Sequence, residues 1–153
     1  MAISKSTVIA GIFESIYDRL NSTVTSVTLS DTTTSTIKTY TSSFPDQDID
    51  TKSKYPILVV ESPNLTWNDF TLTKKNIDGN FTINIYTTKS EAADLFLDAI
   101  INSIETYRDT LSHTYQVTFV NVESTDYDQS MRGKMKVHMR SVTFGFKYKF
   151  TKT

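Results

Sequence analysis

Three aspartates separated by single residues are the first side chains in this sequence whose spacing could do chemistry. Asp46, Asp48 and Asp50 match the first three ligand positions of a calcium-binding loop. The sixth position of such a loop requires glycine for a sharp turn, but Thr51 stands there, and the twelfth requires glutamate, but it is Ile57. The spacing therefore favours a solvated acidic loop over a calcium site.

The histidines and the other carboxylates also lack the neighbours that catalysis requires. No motif places a carboxylate or a nucleophile beside His113 or His138, so we expect both to be structural. Asp126 and Asp128 could pair as acid and base, but in a polar segment they are better interpreted as solvent-facing or interface carboxylates. The chain has no cysteine and four glycines, which excludes Cys-ligated zinc, thiolate catalysis and glycine-rich phosphate loops. We predict that the protein is not an enzyme and uses no cofactor or metal.

The charged residues are distributed unevenly along the chain. Residues 1–128 contain 9 Lys or Arg and 17 Asp or Glu, a net charge of −8. Residues 129–153 contain 7 Lys or Arg and no acidic residue, a net charge of +7. This segregation indicates a charged partner, which could be nucleic acid or the acidic surface of another copy of the chain.

The basic C-terminal segment alternates aromatic rings with lysines. In a strand, the sequence VTFGFKYKF (142–150) places its four rings on one side and its lysines on the other. Rings that stack on bases normally share a face with the charges that contact phosphates. The sequence pI of about 6.1 is also low for a dedicated nucleic-acid-binding domain. We therefore expect a core strand, and a nucleic-acid-binding module is the less favoured alternative.

Two amphipathic helices are predicted. Apolar residues from Val8 to Leu20 recur at helical spacing and predict the first helix. Thr88 and Glu91 have the spacing of a capping box and predict the start of the second, which continues to about Leu111. Its predicted buried stripe consists of Ala92, Leu95, Phe96, Ala99, Ile100, Ser103, Ile104, Tyr107 and Leu111.

The remaining segments are typical of strands. The continuous apolar run Ile57–Val60 predicts a central strand that is buried on both faces. Residues 81–87 alternate apolar and polar side chains, and Asp78-Gly79 before them predicts a turn. Shorter strands are predicted over residues 24–29, 36–40 and around 69–73.

The last long strand, residues 135–150, changes its apolar phase. Met135, Val137 and Met139 occupy odd positions, whereas the apolar residues from Val142 onward occupy even positions. A bulge near Arg140 would restore one apolar face; alternatively, the first half buries its apolar side against something other than the helices. The preceding polar segment STDYDQSMRGK (124–134) predicts either a mobile loop or an extended hairpin tip.

The order of these elements predicts an α+β fold in a single domain over residues 1–153. We expect one mainly antiparallel or mixed sheet with two helices packed on one face. Tyr40, Trp67 and Tyr86 are candidates for a second apolar surface, which predicts a partner if it is exposed in the monomer. The N-terminus lacks the pattern of a signal peptide, and no run approaches the roughly 20 apolar residues of a membrane span. We therefore expect no membrane partner, and the absence of cysteines favours assembly in the cytosol.

This layout resembles the tail terminator, or tail completion, proteins of long-tailed phages and related viruses. The likeness lies in the order of an amphipathic helix, "YPILVVE", "GNFTINIYTTKSEAADLFLDAIINSIETYRDTL", a "STDYDQSMRGK" excursion and a closing "VTFGFKYKF". It implies a structural virion protein that forms a ring, usually a hexamer. Such a ring caps the tail tube, ends its polymerisation and joins the tail to the head connector. DNA passes through the lumen without sequence-specific binding. A neck adaptor of the head–tail connection is the alternative that the same layout implies.

The charge segregation gives this ring a testable interface. A cyclic ring uses heterologous contacts, in which one patch meets a different patch on the neighbouring subunit. We hypothesise that the basic residues Arg132, Lys134, Lys136 and Arg140 meet an acidic neighbour surface. The candidates for that surface are Asp46, Asp48, Asp50, Asp126 and Asp128.

Overall fold

A computed structural model describes residues 8–43, 52–69 and 74–151 of the chain. In these ranges the helices are α1 (Val8–Thr23), a short 3-10 helix (Lys52–Lys54) and α2 (Ser90–Tyr115). The strands are β1 (Ser26–Thr28), β2 (Thr34–Thr36), β3 (Thr39–Thr41), β4 (Ile57–Val60), β5 (Asn64–Asp69), β6 (Lys74–Thr87), β7 (Val117–Arg132) and β8 (Met135–Thr151). Asp46, Asp48 and Asp50 lie outside the described residues.

The strands form one large mixed sheet and one small ribbon. The large sheet has the order β3-β4-β6-β8-β7, and β5 pairs with β6 beyond the end of β4. Only the β3–β4 pair is parallel among the described pairs of this sheet; β1 and β2 form a separate antiparallel ribbon. With two helices against a mostly antiparallel sheet, the predicted α+β class is confirmed.

Both helices pack on the same face of the large sheet. The α1 stripe is buried as predicted, with Ile12, Ile16 and Leu20 at most 1% exposed, although Ile9 remains 48% exposed. From α2, most of the predicted stripe enters the same core, where it meets the apolar side of β6 and β8. We call this side of the sheet the helix face and the other side the open face.

The aromatic strand is part of this core. Phe144, Phe146 and Tyr148 are buried on the helix face, and the Phe81 and Phe144 rings lie 5.2 Å apart between centroids. Lys147 points to the open face and is exposed. These three rings are therefore closed to base stacking, as the one-sided pattern predicted.

The phase change in β8 involves no bulge in that strand. β8 pairs with β6 residue for residue from Lys74–Thr151 to Thr87–His138. Val137 instead packs on the open face, in a small cluster with Tyr55, Ile57 and Val59. The expectation of a bulge near Arg140 is wrong, and the alternative of a second apolar contact is confirmed. The register shifts lie in β7, between Thr118 and Asn121 and between Val122 and Ser124.

The central strand β4 joins the two apolar clusters. All four of its residues are buried, as the continuous apolar run predicted. Leu58 and Val60 belong to the core under the helices, whereas Ile57 and Val59 belong to the open-face cluster. Of the three predicted surface aromatics, Tyr86 packs on the open-face cluster, while Tyr40 packs on the helix-face core and Trp67 is 42% exposed.

The predicted turn at Asp78-Gly79 is wrong, because both residues lie inside β6 and pair with β5 and β8. Position 79 requires glycine because neighbouring atoms leave no room for a side chain. A Cβ on Gly79 would lie 2.5 Å from Cζ of Phe146 and 2.9 Å from the carbonyl oxygen of Asn64. At Gly145 an added Cβ would meet only the flexible side chain of Glu123.

The predicted capping box is also wrong. Lys89 is the N-cap residue of α2, and its side chain makes no capping hydrogen bond. The Glu91 carboxylate instead accepts hydrogen bonds from the backbone N–H (2.7 Å) and the hydroxyl (3.1 Å) of Ser30. The Glu91 carboxylate therefore binds a residue distant in sequence, and not the end of its own helix as the local pattern predicted. Neither α1 nor α2 has the length and apolar character needed to cross a lipid bilayer.

Candidate functional site: the β7–β8 arm

The β7–β8 hairpin extends beyond the last residue pair between β6 and β8. That pair is Thr87–His138, and the β7–β8 pairs continue to Arg132–Met135. We call residues 130–137 the arm. Gly133 turns the chain at its tip with a φ of 63°, in the left-handed region that glycine adopts without strain. The arm confirms the predicted hairpin tip.

The root of the arm is anchored on the open face. Val137 is 1% exposed and Met135 is half-buried against the same apolar cluster. Met131 faces the other way and is 62% exposed. The arm therefore has one side that packs on its own sheet and one side that displays an apolar residue to solvent.

Arg140 is engaged within its own chain. Its Nε donates a hydrogen bond to Oδ1 of Asp94 on α2 at 2.7 Å. Its guanidinium also lies 4.7 Å from the centroid of the Tyr127 ring. The Tyr127 hydroxyl and Nδ1 of His138 form a hydrogen bond of 2.8 Å, and their rings stack. Arg140 thus ties β8 and β7 to the helix layer, a role that sequence spacing could not indicate because Asp94 lies 46 residues away.

The charge of Arg132 influences a tyrosine on the open face, Tyr86. The pKa of Tyr86 is raised, first by burial and second by the nearby carboxylate of Glu61, while the positive charge of Arg132 opposes this shift. The negative charge of Asp128 also raises the pKa of Tyr86. Asn84 is buried beside them and donates to Oε1 of Glu61 at 3.1 Å. The arm therefore carries its first basic residue to a polar group at the centre of the open face.

The edge of β7 and the arm separate opposite charges. Asp126 and Asp128 are exposed on β7 just before the arm, whereas Lys134 and Lys136 are exposed within it. Of the predicted interface residues, the structure brings five to this edge and the arm: Asp126, Asp128, Arg132, Lys134 and Lys136. Arg140 lies on β8 and pairs with Asp94 instead. The other three, Asp46, Asp48 and Asp50, lie outside the described residues.

Phe119 is an exposed aromatic residue that the sequence did not single out. It lies at the first register shift of β7, has a φ of 56° and is 73% exposed. The expected alternation of β7 breaks there, so Phe119 points outward beside Glu105 and Arg108 of α2. Only the mixed alternation around "VTFVNV" carried any sign of this in the sequence.

His113 makes a structural contact within its own helix. Nδ1 of His113 lies 2.8 Å from the carbonyl oxygen of Asp109, one turn earlier in α2. Among the described residues, no group of three His, Cys, Asp or Glu side chains is arranged to hold a metal ion. The arm and the adjoining β7 edge bring Met131 and charges of opposite sign to the surface, and they form the candidate site. No protein-family model matches this chain, and no curated protein matches it either.

Proposed function

We propose that this chain is a structural subunit of a tailed virus particle. Its copies form a ring, with six subunits as the expected number, that caps the tail tube, ends tube polymerisation and joins the tail to the head connector. The ring assembles in the host cytoplasm and remains in the virion, and DNA passes through its lumen without sequence-specific binding. The proposal combines the resemblance in element order with the properties of the β7–β8 arm.

The observation that carries the proposal is the exposed edge of the arm. Over a short stretch it displays an apolar side chain, Met131, two acids before it and two exposed lysines after it. Protein interfaces combine apolar contacts that supply affinity with charges that set orientation and the rate of encounter. A heterologous ring contact needs two different patches on each subunit, and the segregation of charge along the chain supplies patches of opposite sign.

The test measures ring formation on the end of a tail tube. The purified chain is mixed with preformed tubes, and tube ends are imaged by electron microscopy while the stoichiometry is measured by light scattering. The informative variant reverses the arm charges with Arg132→Glu, Lys134→Glu and Lys136→Glu. Its matched control reverses Lys38, Lys52 and Lys54, which are exposed outside the arm and give the same change in net charge.

We expect the native chain and the control to cap tube ends as rings. We expect the arm variant to bind at least about tenfold more weakly, with a weaker dependence on salt, because charges at an interface mainly steer association. Equal loss in both variants would assign the effect to net charge instead of the arm. If the native chain binds isolated head connector and ignores the tube, the neck-adaptor alternative replaces the proposal.

A further inference from the structure

β7 is an edge strand with an unusually regular outer stretch. In the described sheet it pairs with β8 alone. From Ser124 to Arg132 that pairing has no register shift, and Ser124 to Met131 are all exposed. The backbone N–H of Gln129 donates to its neighbour's side chain, Oδ1 of Asp128, at 2.8 Å, a local hydrogen bond that a strand added to this edge would displace. A long, regular, exposed edge is a template for pairing with another strand.

The side chains along this edge are complementary to the same edge in the opposite direction. If two copies pair antiparallel with Gln129 facing Gln129, then Asp126 of each copy faces Arg132 of the other on the open face. On the helix face, Tyr127 faces Met131. These two residues are among the large apolar side chains most exposed in the described structure, at 43% and 62%. One register thus places acid against base and apolar against apolar, twice each by symmetry.

Neighbouring registers lack the combination of the charge match and the apolar match. Centring the pair on Asp128 places that carboxylate against its own copy, and centring it on Tyr127 places Asp126 against Asp128. Like charges directly opposite each other destabilise a strand pair. Centring it on Ser130 also pairs Asp128 with Arg132, but it places Tyr127 opposite Gly133, which belongs to the turn and no longer to the strand, so the apolar match is lost.

We propose that two copies of this chain pair through their β7 edges, antiparallel and centred on Gln129. The occupant of the edge is a second copy because the edge is complementary to itself in both charge and apolar content. In this arrangement the arm of each copy lies beside the β7 edge of the other, where that strand is backed by β8 and β6. The two sheets join into one continuous sheet, with the helices of both copies on the same face.

This contact does not rest on the proposed function. A twofold contact is isologous and cannot itself close a ring of six, which needs heterologous contacts. Because the ring contact uses the same edge, the edge pair describes the free protein, and the two copies must separate before the edge can join a ring. Its failure would leave capping of tube ends untouched, and the two proposals are tested by different measurements.

A single cysteine at the centre of symmetry tests the register directly. The chain has no cysteine of its own, so Gln129→Cys introduces the only thiol. Residues directly opposite in an antiparallel pair have Cα atoms about 4.5–5.5 Å apart, which suits a disulfide. Thr125→Cys is the matched control, since it is equally exposed on β7 but lies about 27 Å from its own copy in this register. Mild oxidation of the purified full chain, followed by non-reducing gel electrophoresis, reads out the covalent dimer.

A charge swap tests the chemistry of the contact. Asp126→Arg and Arg132→Asp each place like charges opposite one another, so each is expected to raise the dimer dissociation constant about tenfold or more. The double variant Asp126→Arg/Arg132→Asp exchanges the charges and is expected to restore the native value to within about threefold. Analytical ultracentrifugation measures all four proteins, and circular dichroism checks that each is folded.

The supporting result is rapid dimer formation by Gln129→Cys, slow or no dimer formation by Thr125→Cys, and recovery in the double charge variant. Equal cross-linking of the two cysteine variants overturns the register. A native chain that stays monomeric at high micromolar concentration, with no Gln129→Cys dimer, overturns the contact itself. A double charge variant that is as stable as the native chain by circular dichroism, but dimerises no better than either single variant, also overturns it.

Discussion

Replacing Val137 with alanine tests whether the root of the arm is anchored on the open face. Val137 is 1% exposed and packs against Tyr55, Ile57 and Val59. Val137→Ala removes two buried carbons, worth about 0.8 kcal/mol each, and leaves a small cavity, so we expect a loss of about 2 kcal/mol in the free energy of unfolding. For a chain of this length that corresponds to a fall of about 4–8 °C in Tm.

Met131→Ala is the matched control because it truncates an apolar residue of the same arm that is 62% exposed. We expect its unfolding free energy to stay within about 0.5 kcal/mol of the native value. Urea unfolding monitored by circular dichroism gives both numbers. If the two variants change stability equally, Val137 is not buried on the open face, and β8 does not bury its two halves on opposite sides of the sheet.

Three further predictions follow from local geometry. Gly79→Ala is expected to destabilise the protein by about 1–3 kcal/mol because a backbone carbonyl blocks the added Cβ. Gly145→Ala should change stability by less than about 1 kcal/mol because only the flexible side chain of Glu123 must move. Thermal unfolding of the two variants compares these effects. Arg140→Ala and Asp94→Ala should each destabilise by at most about 1 kcal/mol, and their double-mutant cycle should give a coupling of about 0.5–1 kcal/mol. Burial, with a contribution from a neighbouring tyrosine, raises the pKa of Tyr107 to about 12. The protonated phenol therefore adds stability below about pH 10 that is lost as pH rises towards 12, and Tyr107→Phe should flatten the stability profile over that range.

Elements with strong periodicity could be predicted from the sequence. The stripes of α1 and α2, the doubly buried β4 and the one-sided rings of β8 all follow from where apolar side chains must be buried, which the spacing states directly. The same rule revealed the phase change of β8 and left two explanations for it, a bulge near Arg140 or a second apolar contact away from the helices. Only the position of β4, which brings Ile57 and Val59 under Val137, decides between them.

Local motifs predicted less because distant partners competed for their residues. Glu91 contacts Ser30 and not the end of its own helix, and Asp78-Gly79 continues a strand because β5 and β8 flank it on both sides. The candidate site shows the same limit. The sequence predicted a basic segment before the last strand, but whether each charge is exposed or engaged depends on three-dimensional contacts, as the ion pair of Arg140 with Asp94 illustrates.

The length of tail tubes formed without this chain tests the proposed function most directly. In the tailed virus that we propose as its source, deleting its gene and imaging the assembled particles by electron microscopy gives that length, with a complemented infection as the control. We predict tubes that extend past the normal length and fail to join heads. Tubes of normal, unextended length would contradict a role in ending polymerisation.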